Sequence, residues 1–269
     1  MVIFIMIEFF SNLSPIYQAL IASLFTWSVT ILGASIVFFF RKVNKSIMDA
    51  LLGFSAGVMI SASFWSLLNP SIEMANSLKI SIITVFVGFF SGGLLLFIGD
   101  KIYTYFSKKR SISSDKLKRC AMLVFSITLH NIPEGLVIGV AFGSLIYGIS
   151  GSSLASAITL AIGIGIQNFP EGSAISLPLR REGLSRKKAF FCGQLSGIVE
   201  PISAVLGAIL VLKVRTILPF LLSFAAGAMI YVVVEELIPE SQSNKRKDLM
   251  ALFTLIGFSI MMILDVSLG

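Results

Sequence analysis

The chain has 269 residues, 56% of them hydrophobic and 13% charged, with a mean hydropathy of +0.93. A soluble domain carries about 25% charged residues, so a water-soluble core cannot take up this much apolar side chain, and the bilayer is the solvent. A formal charge of +7 raises the question of nucleic-acid binding, but the basic residues flank apolar spans in a sided pattern, which excludes it.

Apolar runs of about twenty residues, enough to cross a hydrocarbon core of ~30 Å, recur eight times. The spans predicted are 15–40, 47–68, 79–105, 119–146, 151–178, 188–212, 216–238 and 248–267. All must be helices, because backbone in lipid has to satisfy its own hydrogen bonds. The whole chain reads as one transmembrane domain. The first ten residues are apolar but carry neither a basic n-region nor a small-residue cleavage site, so no cleaved signal is expected.

Of the 21 basic residues, eighteen fall in the segments after spans 1, 3, 5 and 7, including the basic loop 106–118. Only Lys79, Lys213 and Arg215 follow the other spans. Positive charge stays inside, which puts both termini outside and 106–118 in the cytoplasm. Cys120 and Cys192 then sit at cytoplasmic ends, far apart, and read as reduced thiols.

The first span holds Trp27 and no charge, and reads as packing and lipid contact. The second has a partner. At an offset of 170, Leu51, Leu52, Phe54, Ala56, Gly57, Met59, Ile60 and Leu67 recur as Leu221, Leu222, Phe224, Ala226, Gly227, Met229, Ile230 and Leu237. The two spans cross in opposite directions, so the repeat is inverted, a common build of secondary transporters. The rival reading is convergence of two small-residue packing helices. Asp100, at the inner end of the third span, reads as a headgroup-level carboxylate.

The fourth and fifth spans carry near copies of one motif, TLHNIPEG at 128–135 and GIQNFPEG at 165–172. His130, the single histidine, stands four residues before Glu134, and Gln167 stands in the same relation to Glu171. Residues i and i+4 share a helix face. Pro133 and Pro170 each remove a backbone donor inside a span, which is tolerated where backbone lines a polar cavity. Counting 1.5 Å per residue from the flanking arginines and lysines places His130, Glu171 and Glu200 roughly 14–18 Å from the inner boundary, near the midplane. Glu134 lies one turn farther out. A carboxylate at that depth costs at least ~2.5 kcal/mol and needs a counter-charge. No Lys or Arg of these spans lies at matching depth, so a bound cation or protons must supply it. Imidazole with carboxylate suits Zn²⁺, Fe²⁺, Mn²⁺ or Co²⁺, whereas carboxylate and water alone suit Mg²⁺ or Ca²⁺. Mixed ligands such as Asn131, Gln167 and Asn168 fit a site that must release its ion, unlike a closed Cys/His zinc site. The plainer alternatives are a hydrogen-bonded structural histidine, a protonated structural Glu200, and interfacial roles for Glu235, Glu236, Glu240 and Asp265.

These motifs resemble those of the ZIP (Zrt-, Irt-like protein) family of divalent metal transporters, and in particular its bacterial GufA-like branch. The resemblance covers nearly the whole chain. It implies eight helices in a 3+2+3 arrangement, with helices 1–3 inverted relative to 6–8. It implies a binuclear site, with Met59, His130, Glu134, Gln167 and Glu171 as the primary ligands. Asn131, Asn168 and Glu200 would form the secondary one, sharing Glu134 and Glu171. Ser66 resembles an entrance position, and Glu236 and Asp265 resemble positions along the exit or regulatory path. Many relatives have histidine at Gln167 and aspartate at Asn168. The resemblance further implies a homodimer in a bacterial cytoplasmic membrane that takes up zinc, with Fe²⁺, Mn²⁺ or Cd²⁺ as further ions. No prosthetic group is expected, and no ATP, since a Gly-rich phosphate loop is missing. The rivals are a carrier of protons or organic substrates and an intramembrane metallohydrolase. The latter needs two histidines around its glutamate.

Overall fold

The computed structural model describes residues 10–39, 44–109, 115–147, 153–181, 183–213 and 215–268, without the side chains at 103, 104, 106–127, 129, 130, 178, 181, 213, 215 and 268. Among these residues there is no strand, and eight long helices run in order. They are α1 (Pro15–Phe39), α2 (Lys45–Ser77), α3 (Ile82–Lys109), α4 (Asp115–Ser144), α5 (Leu154–Arg181), α6 (Arg186–Leu212), α7 (Leu218–Ser241) and α8 (Lys247–Leu268). Among the described residues, six are long and apolar enough by themselves to cross a membrane, and α4 adds the shorter apolar stretch Asn131–Tyr147. The chain is an all-α polytopic membrane protein.

The expected loop at 106–118 is shorter than its composition suggested. Helix α3 continues to Lys109 and α4 opens at Asp115, while 110–114 lie outside the described residues.

Helix α2 runs through Pro70 to Ser77, past the expected end at 68. A helix-interior proline lacks its N–H and crowds the carbonyl four residues back. Here the turn Ser63–Leu68 widens to a π-helix, which accommodates the proline without ending the helix. The same device recurs in α7, where the π-turn Val233–Leu237 precedes Pro239. The two π-turns begin 170 residues apart, the offset of the sequence repeat.

The tightest helix pairs are α1 with α5, α4 with α6, α3 with α7 and α2 with α8. Exchanging α1 with α6, α2 with α7, α3 with α8 and α4 with α5 turns this set of pairs into itself. Backbone contacts repeat too. A Cβ on Gly57 of α2 would strike the Thr254 carbonyl of α8, and one on Gly227 of α7 would strike the Phe89 carbonyl of α3. Thr254 and Phe89 differ by 165, so Asp265 is the repeat counterpart of Asp100 and Met261 that of Leu96.

The pairs assemble into two bundles, α1–α4–α5–α6 and α2–α3–α7–α8, meeting chiefly where α2 touches α5 and α7 touches α4. At the inner end of the second bundle Asp49 is buried. Asn244 Nδ2 donates to its carboxylate at 2.7 Å, and Ser241 Oγ donates to its carbonyl at 2.7 Å. That polar clasp ties the start of α2 to the α7–α8 turn.

Candidate metal-transport site

The polar motifs of α4 and α5 face each other inside the first bundle. Asn131, Glu134, Gln167, Asn168 and Glu200 are completely buried, and Glu171 is 5% exposed. A glycine follows each motif glutamate for a steric reason. A Cβ on Gly135 would run into the Glu200 backbone of α6, and one on Gly172 into the Thr30 carbonyl of α1. Thr30 and Glu200 are 170 apart, so each motif presses its glycine against the repeat-equivalent place on the opposite helix.

The hydrogen bonds are unevenly shared. Gln167 Nε2 donates to Glu134 Oε1. Asn168 Nδ2 donates to both Glu200 oxygens, at 3.0 and 2.9 Å, and to the Thr26 carbonyl at 3.2 Å. Thr26 Oγ1 donates to Glu200 Oε2 at 2.5 Å, and Thr30 also hydrogen-bonds Glu200. Glu200 is thus enclosed by donors on both oxygens. The opposite holds elsewhere. Asn131 Oδ1, Glu134 Oε2, Gln167 Oε1, Asn168 Oδ1 and Glu171 Oε2 are buried and lack any hydrogen-bond partner. A buried acceptor left unpaired costs about 1–3 kcal/mol. Five such oxygens on two facing helices are hard donors of the kind that bind divalent cations. The charges add to this, because the Glu134, Glu171 and Glu200 carboxylates repel one another, and among the described residues no basic side chain is paired with them.

Among the described residues no three His, Cys, Asp or Glu side chains converge as a closed metal cage. Three of the five unpaired oxygens belong to carboxamides, Asn131, Gln167 and Asn168. The His130 backbone lies in α4, one turn before Glu134, and its side chain is outside the described residues. Met59 is 1% exposed. It lies one turn beyond Ser55, whose hydroxyl donates to the Gln167 carbonyl at 3.5 Å, so Met59 shares the face of α2 that meets α5.

The residues expected along the path, Ser66, Asp265 and Glu236, fall in two separate places. On the outer side Ser66, within the α2 π-turn, donates to Asp265 Oδ1 of α8 at 2.6 Å. It also lines a cleft of about 20 Å³ with Ser144, Ser153 and Ser156, room for about one water. On the inner side Glu236, 170 residues after Ser66, lies in the α7 π-turn. Its charge acts on Glu171 and on Asp100.

Helix α1 corrects a further expectation. Read as packing and lipid contact, it supplies Thr26 and Thr30 to Glu200, and Trp27 Nε1 donates to the Gln194 carbonyl of α6 at 2.8 Å. The available signal was three small hydroxyl residues, Ser23, Thr26 and Thr30, at i, i+3 and i+7 of an otherwise apolar helix, all completely buried.

Comparison with known proteins agrees with this geometry. A profile described as ZIP Zinc transporter matches residues 113–265. The chain is 37% identical to human zinc transporter ZIP11, over 95% of this chain and 98% of that protein. It is 31% identical to zinc transporter GufA of Myxococcus xanthus, over 93% of this chain and 98% of that protein, and 32% identical to zinc transporter ZIPB of Bordetella bronchiseptica, over 90% and 79%. Motif, fold and similarity coincide along nearly the full length, and the chain belongs to the ZIP zinc transporter family.

Proposed function

We propose that this protein carries zinc across a membrane and into the cytoplasm through the polar site between α4, α5 and α6. The observation that carries the reading is the set of five buried oxygens without donors, beside three mutually repelling carboxylates to which no described Lys or Arg side chain is paired. A cation cargo satisfies both. The shared description of the relatives as zinc transporters supports zinc as that cargo, and imidazole from His130 beside carboxylates suits it, along with Fe²⁺, Mn²⁺ and Cd²⁺. Transport rather than catalysis is what the family does.

In this reading Glu134 and Glu171 are the anionic ligands. Gln167, Asn131 and Asn168 add carbonyl oxygens, and His130 and Met59 complete the primary coordination. Glu200, enclosed by Thr26, Thr30 and Asn168, is the anchor of the secondary site and orients Asn168 toward the ion. Carboxamide oxygens bind weakly enough to let the ion go, as a carrier requires. Ions enter past Ser66 and Asp265 and leave past Glu171, Glu236 and Asp100. The inverted repeat supplies two equivalent end states, related by motion of one bundle against the other. The protein works as a homodimer in a bacterial cytoplasmic membrane.

Uptake of radiolabelled zinc into proteoliposomes tests the reading. Wild type accumulates zinc without ATP, whereas the double variant His130→Ala/Glu171→Ala does not. Equal uptake by both would place the ion path elsewhere. Uptake of protons or organic solutes without zinc would favour the carrier alternative.

A further inference from the structure

A second, wholly different cavity lies on the other side of Pro133. It measures about 180 Å³ and is bounded by Leu95 and Leu96 of α3, Ile132 and Pro133 of α4, and Phe224 and Ala228 of α7. Among the described residues, no polar side chain lines it. It occupies the seam between the two bundles, where α3 and α4 barely touch while α7 holds α4 firmly. An apolar cavity of about 150 Å³ stays dry and admits benzene-sized guests, so water does not fill this one.

The pseudo-symmetry of the fold places different residues on the equivalent side, between α8, α5 and α2, where Met261 is the counterpart of Leu96. Met261 is completely buried, and its thioether plugs that seam where a Cβ on Gly163 of α5 would project, about two turns from Pro170. The counterparts of Gly99 and Ala228 are the larger Leu264 and Val58. The residues beside the Pro133 cavity are thus smaller than their repeat counterparts. The rim of the cavity faces lipid, since Leu95 is 56% and Ile132 41% exposed at membrane depth. Hydrocarbon is the phase at that rim, and its size and lining suit a segment of a fatty-acyl chain.

We propose that this cavity is a lipid-tail site, in which an acyl chain of a bilayer phospholipid enters between Leu95 and Ile132 and packs against Pro133. The tail does at this seam what Met261 does at the other, but it can be withdrawn. It fills the gap when the bundles stand apart on this side and leaves when they close. Because Pro133 immediately precedes Glu134, the tail supports the turn that presents the ion ligands. The functional half of this proposal rests on the transport reading above.

The experiment uses the full chain crystallised from a lipid mesophase doped with phosphatidylcholine brominated at mid-chain, with zinc uptake measured in parallel in the same lipid. Wild type is expected to show bromine anomalous density inside the cavity. Two variants borrow the residues of the plugged seam, Ala228→Val and Gly99→Leu. Each should lose that density, and uptake should slow about tenfold while zinc affinity changes less than twofold. A wild-type cavity without bromine overturns the lipid-tail site, and that result needs no variant to fold. Bromine lost from the variants with uptake unchanged overturns the link to bundle motion. Bromine present in a wild type that takes up no zinc leaves the lipid site standing and removes the transport reading instead.

Discussion

The two copies of the polar motif share a sequence pattern and a backbone role, yet they do different chemical work. In α5, Gln167 and Asn168 point amide N–H groups at carboxylates on other helices, Glu134 and Glu200. In α4, Asn131 makes no hydrogen bond at either end of its amide, and Glu134 only accepts. The α5 copy therefore positions anions with neutral donors, which the α4 copy does not, although both leave acceptors unpaired. Each amide that donates also turns its own carbonyl oxygen into the pocket. Holding carboxylates with amides rather than cations keeps the pocket negative, so that only a mobile ion can neutralise it. A Lys or Arg there would carry its own desolvation cost and would abolish the attraction for a cation.

Removing a ligand from either copy tests whether both are needed. Glu134→Ala and Glu171→Ala should each reduce zinc uptake about a hundredfold, measured as initial rate in proteoliposomes. Loss in only one of them would mean that a single motif binds the ion. The next test concerns the division of labour itself. Asn168→Asp exchanges a donor for a carboxylate facing Glu200, and Thr26→Val removes a second donor from the same group. Each should lower uptake about tenfold by disturbing the anchor rather than the ligands, with zinc affinity from calorimetry reporting the same direction. Gln167→His makes the α5 copy match the α4 copy. Zinc should then bind about tenfold tighter and be released more slowly, visible as a lower KM together with a lower maximal rate.

The glycines test the structural half of the likeness. Gly135→Ala and Gly172→Ala should each destabilise the protein by about 1–3 kcal/mol, since each Cβ meets backbone on the opposite helix. Thermal unfolding in detergent reads that loss, and unequal losses would show that the two copies are not packed alike. The smallest effect is expected at the outer mouth. Ser66→Ala deletes one hydrogen bond to Asp265, of the order of 1 kcal/mol, and should change the uptake rate by no more than about threefold. A larger loss would promote Ser66 from the entrance to the ion site.

Much of this was readable before any coordinates. The polar residues at 130–134 and 167–171 stand out because they interrupt apolar runs, and an interrupted run at membrane depth has a cost that only function or pairing offsets. The repeat was visible in 51–70 against 221–240 because both copies must pack small residues against a neighbouring backbone. Thr26 and Thr30 escaped notice because threonine is a common, cheap residue in membrane helices and can satisfy its hydroxyl on its own backbone. Pro70 misled for a similar reason. Proline usually ends a helix, and no local pattern announces that a π-turn will absorb it.

Composition and hydropathy alone determined that the chain is a helical membrane protein and roughly where its long helices lie, and loop charge set the expectation for its orientation. These are sums of transfer free energies taken residue by residue, so they need no knowledge of neighbours. Which oxygen receives a donor, which stays empty, and which seam is hollow depended on how helices rotate and shift against each other. Thr26 reaches Glu200 across 174 residues of chain and Ser66 reaches Asp265 across 199, and pairings at such separations exist only once the bundles have assembled.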